Sequence, residues 1–585
     1  MNESYITDFI SGCPVKYNGY ECVRPENEDD NQYVGFTNNE NGYNPTITKF
    51  AGILKVSSKH IMKHNITKKG VCRKEFIPFA KNLPKIMVKT SRILTGPDEY
   101  AIVRFEKMEN NIMLCEVDSY TGVVGNTSAD ENITNIIACC HWTTKHNKLF
   151  SSLSSVDLTP NRETITDVNI YAIDPDGCID VDDAIHIKNI DSGYELGIHI
   201  ADVSSYIEQN SLFDSELSKR ASSVYLHKFN SVIPIHMIPE CLSIHEMSLL
   251  KGQQKRAFSI IIQINKACEI TSVNFKKTYV TITDNISYEN AQHAVNNNLN
   301  ADISLMYKTG HKLHNKLFDC DSDSSYDVHK MIEIFMLYAN KLVAEKIANH
   351  DKVNALFRVQ YKRSNIFDTI DNNIIYNTNI EKPTSDQYLT NMNNSMQQKK
   401  AIYKLGTNNS RHESLKLLYY THFTSPIRRY ADIIIHRQLW DSITNNIIIP
   451  PTLTTLFNIN FYSNLYNKVS NYSKLQQNIK EIEDVVETNA FVILIRQTLN
   501  NVILYIPSND ITYNYTLINA KFKHLVKFEG NENGITLTHN ITGKSTKVDL
   551  FQSVAIKIVK LNKSFEKIKV SLLNQTFNLF DDDTV

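Results

Sequence analysis

Residues 173–187 read Ile-Asp-Pro-Asp-Gly-Cys-Ile-Asp-Val-Asp-Asp-Ala-Ile-His-Ile, with five aspartates between positions 174 and 183. The apolar run VNIYAID leads into them and AIHIKNI leads out, while Pro175 and Gly177 make the connection a loop. A turn at Asp191-Ser192-Gly193 then enters YELGIHIADV, so the stretch is a strand, a loop and two further strands of a catalytic sheet. Asp174 ends the first strand and Asp183 just precedes the second. If the carboxylates of Asp174, Asp180, Asp182 and Asp183 converge, they repel one another and raise each other's pKa, which a hard divalent cation relieves. Oxygen-only ligation suits Mg2+, with Mn2+ as the alternative, and paired ions of this kind activate water for phosphodiester hydrolysis. The rival readings are a solvated acidic turn and a calcium loop. An EF-hand fails, because counting from Asp174 puts Ile179 where glycine is needed and Ile185 where the bidentate glutamate is needed. The spacing thus argues for a metal site and leaves the substrate open.

Around this centre the chain is long and ordinary in composition. At 585 residues it exceeds what one hydrophobic core supports, and its 42% hydrophobic and 21% charged residues fit a globular multidomain protein. No apolar run has the length of a membrane span, and the opening MNESYITDFISGCP has no signal-peptide pattern, so a soluble, cytoplasmic or otherwise intracellular protein is expected. Ten scattered cysteines match neither a zinc ligand set nor a disulfide framework. A net charge of −1 excludes nothing, since a basic channel can sit inside a neutral total.

Up to about residue 150, short β-type runs such as PKIMVKTSRIL and YAIVRFEKMENNIMLCEVDSYTGVVG suit small antiparallel barrels, and the style returns from about 489 in AFVILIRQT and KVDLFQSVAIKIVKL before the acidic tail DDDTV. Between them the pattern is mixed α and β. HKMIEIFMLYANKLVAEKIA reads as a helix, as does SKLQQNIKEIEDVVETN, where Leu475, Ile479, Ile482, Val485 and Val486 recur at helical spacing.

A second chemical signal lies in YTHFTSPIRRYADIIIHRQLW. Ser425 reads as an N-cap and Pro426 as the first helical residue, which places Arg428 and Arg429 in the first turn as a phosphate clamp and lets Asp432 hold the Arg428 guanidinium. The plainer reading is a capped surface helix with arginines on its wet face. His199 and His436 read as hydrogen-bonded core histidines, and Phe357 as a core aromatic at a strand end.

DPDGCIDVDDA, GIHIADVSSYI, LFDSELSKRASSVYL, IEIFMLYANKLVAEKI, ALFRVQYKRS and YTHFTSPIRRYADIIIHR follow one another in the order found in the RNase II/RNase R (RNB) family, which the chain resembles over most of residues 160–490. Within it the resemblance is greatest to the exonuclease part of the eukaryotic exosome's catalytic subunit. The resemblance implies a multidomain α+β protein: a reduced cold-shock-like OB domain at 1–62, a second at 63–150, an RNB catalytic domain at 151–488, an S1-like OB barrel at 489–577 and a tail at 578–585. It implies a monomeric Mg2+-dependent 3′-to-5′ exoribonuclease that threads single-stranded RNA to its centre and releases nucleoside 5′-monophosphates in RNA degradation or processing. Asp174, Asp180, Asp182 and Asp183 match the family's acidic metal positions, with Asp180, Asp182 and Arg428 in catalysis. Tyr225 matches the aromatic that stacks on the terminal base, and Arg428 the arginine at the scissile phosphate, with Arg429 beside it on the RNA.

The chain departs from the family in several places. Nothing before residue 60 has the length or acidic motifs of the exosome subunit's PIN endonuclease domain, which speaks against endonuclease activity and the usual exosome docking. His412-Glu413-Ser414-Leu415 stands where H-F-G-L is usual and is expected to alter channel packing. IPECLSIHEMSLL departs from the usual Cys-Ser-Leu ending, and KRAFSI keeps Arg256 without the acidic residue before it. The alternatives are a catalytically silent RNA-binding homologue of the same fold and a nuclease that also accepts DNA.

Overall fold

In a computed structural model of the chain, five strands close into a barrel: β1 (Lys49–Leu54), β2 (Cys72–Pro78), β3 (Lys85–Thr90), β4 (Glu99–Glu109) and β5 (Ile112–Val123). The structure describes residues 49–55, 72–78, 85–90, 98–109, 112–123, 157, 161–228, 231–318, 326–361, 400–407, 410–482, 485–496, 501–518, 523–530, 534–560 and 568–573, with short strands at 4–7, 14–17, 22–23, 36–39 and 42–45. Round the barrel β1 pairs with β2 and β4, β2 with β3, and β4 with β5, all antiparallel, and the parallel β3–β5 pair closes the ring. Because β1 is one of its staves, the barrel crosses the division read at 62/63. The remainder of the 1–62 unit lies largely outside the described residues, as does the tail at 578–585.

The acidic stretch belongs to a seven-stranded sheet. Its strands are β6 (Glu163–Thr164), β7 (Tyr171–Asp174), β8 (Asp183–Ile190), β9 (Gly193–Ala201), β12 (Gln254–Asn265), β13 (Ile270–Thr281) and β14 (Asp284–Ser287). They lie in the order β6-β13-β12-β9-β8-β7-β14, and a separate hairpin of β10 (Val224–Lys228) and β11 (Ser231–Ile235) falls in sequence between β9 and β12. β8 and β9 form the expected hairpin, and Gly193 at φ +150° lies where an added Cβ would strike the Ile264 carbonyl.

Helices accompany the sheet: α1 (Leu212–Arg220), α2 (Tyr288–Asn296), α3 (Ala301–Phe318), α4 (Val328–Asp351), α5 (Tyr430–Thr444) and α6 (Leu453–Lys480), with α2 and α3 packed on its strands. Ser211, Ser287, Asp327 and Thr452 cap four of them through side-chain oxygens that accept backbone N–H groups three residues on. Met331, Ile334, Phe335 and Tyr338 of α4 are buried at the expected spacing. Among the described residues no helix is long and apolar enough to cross a membrane.

The helix read through 473–489 stops at Lys480. Leu475, Ile479 and Ile482 do pack into the C-terminal core, but Val485 and Val486 open the strand β17 (Val485–Arg496), which also crosses the division read at 488/489. The β-branched and apolar run VVETNAFVILI favours an extended chain once the helical face is used up. β17 joins β18 (Asn501–Ile506), β19 (Ile511–Thr516), β23 (Ser553–Lys560) and β24 (Ile568–Leu572) in one sheet. A three-stranded sheet of β20 (Val526–Gly530), β21 (Gly534–His539) and β22 (Ser545–Asp549) shares its core.

A polar seam crosses the central sheet. His186 Nδ1 lies 2.8 Å from His199 Nε2, His199 Nδ1 lies 2.7 Å from Ser259 Oγ, and Ser259 Oγ lies 2.6 Å from Thr278 Oγ1, all buried. Gly197 leaves the space in which the His186 ring sits. Burial holds both imidazoles below their usual range, His199 well below it. Both are therefore neutral in the folded sheet at pH 7. As pH falls through about 6.5 the unfolded chain takes up protons that the native sheet refuses, and stability drops by up to about 1.4 kcal/mol per pH unit for each histidine. H199Q removes one such group, so its melting temperature should fall less than that of the wild type between pH 7 and pH 5. Parallel melting curves against pH would contradict neutral burial of His199.

Candidate active site

β7 and β8 meet at the single bridge Tyr171–Ile185, and extending that antiparallel register sets Asp174 level with Asp182 and Asp183 at the strand ends. The intervening loop turns tightly, with Cys178 N donating to Pro175 O at 3.1 Å and Gly177 at φ +74°. Sequence neighbours separated by an eight-residue excursion thus return to one place.

The most buried of the four is Asp182, 3% exposed. Its Oδ1 accepts the Ile427 backbone N–H at 2.8 Å, and its Oδ2 lies 3.3 Å from Arg428 Nε. Arg428 also donates to Ser425 Oγ at 3.1 Å and leaves 48% of its side chain exposed. Asp180 Oδ2 accepts the Tyr225 hydroxyl at 3.0 Å, and the buried His236 stands with Nδ1 3.8 Å from the same oxygen.

These carboxyls are short of partners. Asp174 Oδ2 and Asp182 Oδ2 are buried and accept no hydrogen bond. Burial, with Asp180 adding and Arg428 opposing, pushes Asp174 up to about 6. Burial and then Asp174 push Asp183 up to about 7 against Arg428 and Arg429. Asp182 is raised well above its usual range by burial, despite Arg428 and the Ile427 N–H. Burial is the first cause in each case, and positive charge beside these carboxyls would favour their ionised forms. Among the described residues no three His, Cys, Asp or Glu side chains are grouped so as to hold a metal ion as they stand.

The arginine segment differs from its reading as a helix start. Pro426–Arg428 form a separate turn, closed by Arg429 N donating to Ser425 O at 3.0 Å, and α5 begins only at Tyr430. Ser425 is therefore not its cap, and Arg429 occupies the N-cap position in extended backbone. Asp432 holds Arg429, not Arg428: its Oδ2 accepts Arg429 Nε at 3.1 Å and a terminal nitrogen at 2.8 Å, together with Ser425 N at 2.8 Å. Arg428 is thereby left to Asp182.

Other residues fall as read. His199 lies in the seam, and His436 Nε2 is 2.9 Å from Phe423 O. Phe357 is wholly buried. The departure at 412–415 is tied to the end of β15 (Leu356–Val359), because the Ser414 N–H and hydroxyl both donate to Gln360 Oε1.

Sequence reasoning missed Tyr288. Its hydroxyl is raised by burial, then by Asp183 and Asp174, which marks it as a protonated donor beside the acidic centre, and its ring stacks on His329 at 3.8 Å. One tyrosine among 29, outside any acidic or basic run, carried no signal. His236, one residue past β11, was hidden similarly.

Residues 162–445 match the RNB domain family model. The human exosome complex exonuclease RRP44 is 27% identical over 501 residues, covering 74% of this chain and 52% of that protein, so the chain spans about half the length of this relative. Mycoplasma genitalium RNase R, solved in complex with ribose methylated single-stranded RNA, superposes with a TM-score of 0.65 at 18% identity, covering 97% of this chain and 95% of that one. Yeast Ssd1, described as a pseudonuclease, superposes at 0.68 with 16% identity, covering 91% and 83%. The fold is thus similar both to that of an RNase R and to that of a protein described as a pseudonuclease. With its acidic loop, its arginine turn and this match, the central part of the chain, residues 162–445, belongs to the RNB domain family.

Proposed function

We propose that the chain is a 3′-to-5′ exoribonuclease that hydrolyses single-stranded RNA to nucleoside 5′-monophosphates with Mg2+, or Mn2+ in its place. The observation that supports this reading is the pair of buried oxygens, Asp174 Oδ2 and Asp182 Oδ2, that accept no hydrogen bond, the second of them ion-paired to the half-exposed Arg428. All-oxygen donors that are short of positive charge fit a hard divalent cation. Asp174 and Asp183 would hold it most directly, with Asp180 and Asp182 completing the set. Such a cation supplies an activated water and stabilises the charge that develops on the phosphate.

The chain's own groups supply the rest. Arg428, fixed by Asp182 and Ser425, turns its exposed edge to the scissile phosphate and stabilises its growing charge. Arg429 adds positive charge beside it while its guanidinium is held by Asp432. Tyr225, anchored through its hydroxyl by Asp180, offers a ring on which any terminal base can stack. Direction and product follow the family resemblance. The five-stranded barrel and the C-terminal β unit serve as OB-type modules that lead RNA to the centre, since a five-stranded barrel of this topology is a common binder of oligonucleotides. The work belongs to intracellular RNA degradation or processing, by a monomer.

The silent alternative takes support from Ssd1, whose fold is as close as that of RNase R. What favours activity is that all four aspartates, Tyr225 and Arg428 are present and that the structure brings Asp182 to Arg428 and Asp180 to Tyr225. Digestion of a 5′-labelled single-stranded RNA should give a descending ladder with Mg2+ and none with EDTA. Binding without cleavage would promote the silent homologue, and equal cutting of DNA would assign a broader nuclease.

D182N keeps an oxygen for the Ile427 N–H and removes the charge. It should lower kcat by about 10²- to 10³-fold or more with RNA affinity little changed, and equal losses of binding and cleavage would count against the role. Y225A should lengthen the final product through loss of about 1–3 kcal/mol of base stacking, and an unchanged ladder would refute the stacking assignment.

A further inference from the structure

The loop that carries Asp180 and Asp182 is held by its backbone as well as through these two carboxylates. The holding contact comes from Ser248 and Leu249, which keep the Ser-Leu of the usual Cys-Ser-Leu ending. Ser248, wholly buried, follows a π-helical turn at Ser243–Met247. Its Oγ accepts the Val181 N–H at 2.9 Å and donates to the Ile179 carbonyl at 2.9 Å, and Leu249 N donates to the Val181 carbonyl at 3.0 Å. Three hydrogen bonds thus grip the two non-acidic residues of Ile179-Asp180-Val181-Asp182. Asp180 lies between two gripped neighbours and Asp182 directly after the second. On the far side Ala201 N donates to the Asp182 carbonyl at 2.9 Å, which ties the same loop to β9.

The turn that presents Ser248 is itself braced. Lys255, on β12 and nearly buried, places Nζ 2.5 Å from His245 O and 3.4 Å from Glu246 O, at the end of the π-helical turn. Lys255 is the residue found where the family pattern has an acid. Lys255 thus closes the turn, and the turn delivers the Ser248 hydroxyl to the acidic loop.

We propose that Ser248 is a positioning residue that sets the spacing of Asp180 and Asp182 for divalent-cation binding and RNA hydrolysis. The assignment rests on the metal-dependent reading above. Ser248 touches neither RNA nor the reacting atoms. Without its hydroxyl the buried Val181 N–H and Ile179 carbonyl lose their partner, and the loop shifts to satisfy them. Groups that orient metal ligands typically matter by about 10- to 100-fold in metal affinity or activity, and a misplacement of about 1 Å can cost roughly 10²-fold in rate.

The test compares wild type, S248A, the volume-conserving S248C and the hydroxyl-retaining S248T. Mn2+ binding is read by electron paramagnetic resonance on the RNA-free protein, and kcat, KM and the half-saturating Mg2+ concentration are read on single-stranded RNA. S248A and S248C should bind Mn2+ about 10-fold more weakly and lose about 10- to 100-fold in kcat, with KM for RNA within about twofold, and S248T should recover most of both. Should S248A fail to fold, S248C is read in its place. Wild-type Mn2+ affinity and kcat in a folded S248C would overturn the assignment while leaving the hydrolase reading intact. An inactive wild type that binds Mn2+ would overturn the hydrolase reading instead, with the effect of Ser248 on Mn2+ affinity still measurable.

Discussion

Burying several carboxyls at one end of a sheet is costly, because each ionised group loses water and repels its neighbours. Asp174, Asp182 and Asp183 are all raised by burial, and Arg428 is the first opposing charge for each of them. Much of the surrounding structure follows from holding that arginine there. The turn at Pro426–Arg428 offers Asp182 a backbone N–H from Ile427 and an ion pair from the next residue, while Asp432 takes Arg429 and the Ser425 N–H out of competition.

That turn is fixed to the sheet by a second buried charge cluster. Asp202, at the end of β9, meets Arg162 at 2.6 Å and Lys277 at 3.2 Å, accepts the Ser204 hydroxyl at 2.7 Å and lies 3.7 Å from His436 of α5. His436 in turn lies 2.9 Å from the Phe423 carbonyl, just before the arginine turn. A buried carboxylate with this many partners keeps its charge, and Asp202 is held well below the usual carboxylate range by Lys277, His436 and Arg162 against the effect of burial. The contrast with Asp182 is instructive. Both are buried aspartates near strand ends, but one is surrounded by cations and the other is left wanting one.

The sequence made the sheet and the acidic loop legible because strand, loop and strand are local, and the Asp191–Gly193 hairpin likewise. It misplaced contacts that depend on distant partners. The four-residue spacing of Arg428 and Asp432 suggests a pair only if a helix already runs from Pro426. Whether it does is decided by Asp182, 245 residues from the Ile427 N–H that it takes. Val485 and Val486 continue a helical spacing that the β-branched run after them overrides. Tyr288, His236 and Ser248 were invisible because a single tyrosine, histidine or serine has meaning only through what the fold sets beside it.

The central claim is that these carboxyls are gathered for a divalent cation. Growing crystals of the protein in Mn2+ and locating the ion by its anomalous scattering tests it most directly. The account predicts Mn2+ bound by oxygens of Asp174 and Asp183 beside Asp182 and Arg428. An acidic centre empty of Mn2+ at saturating concentration would contradict it.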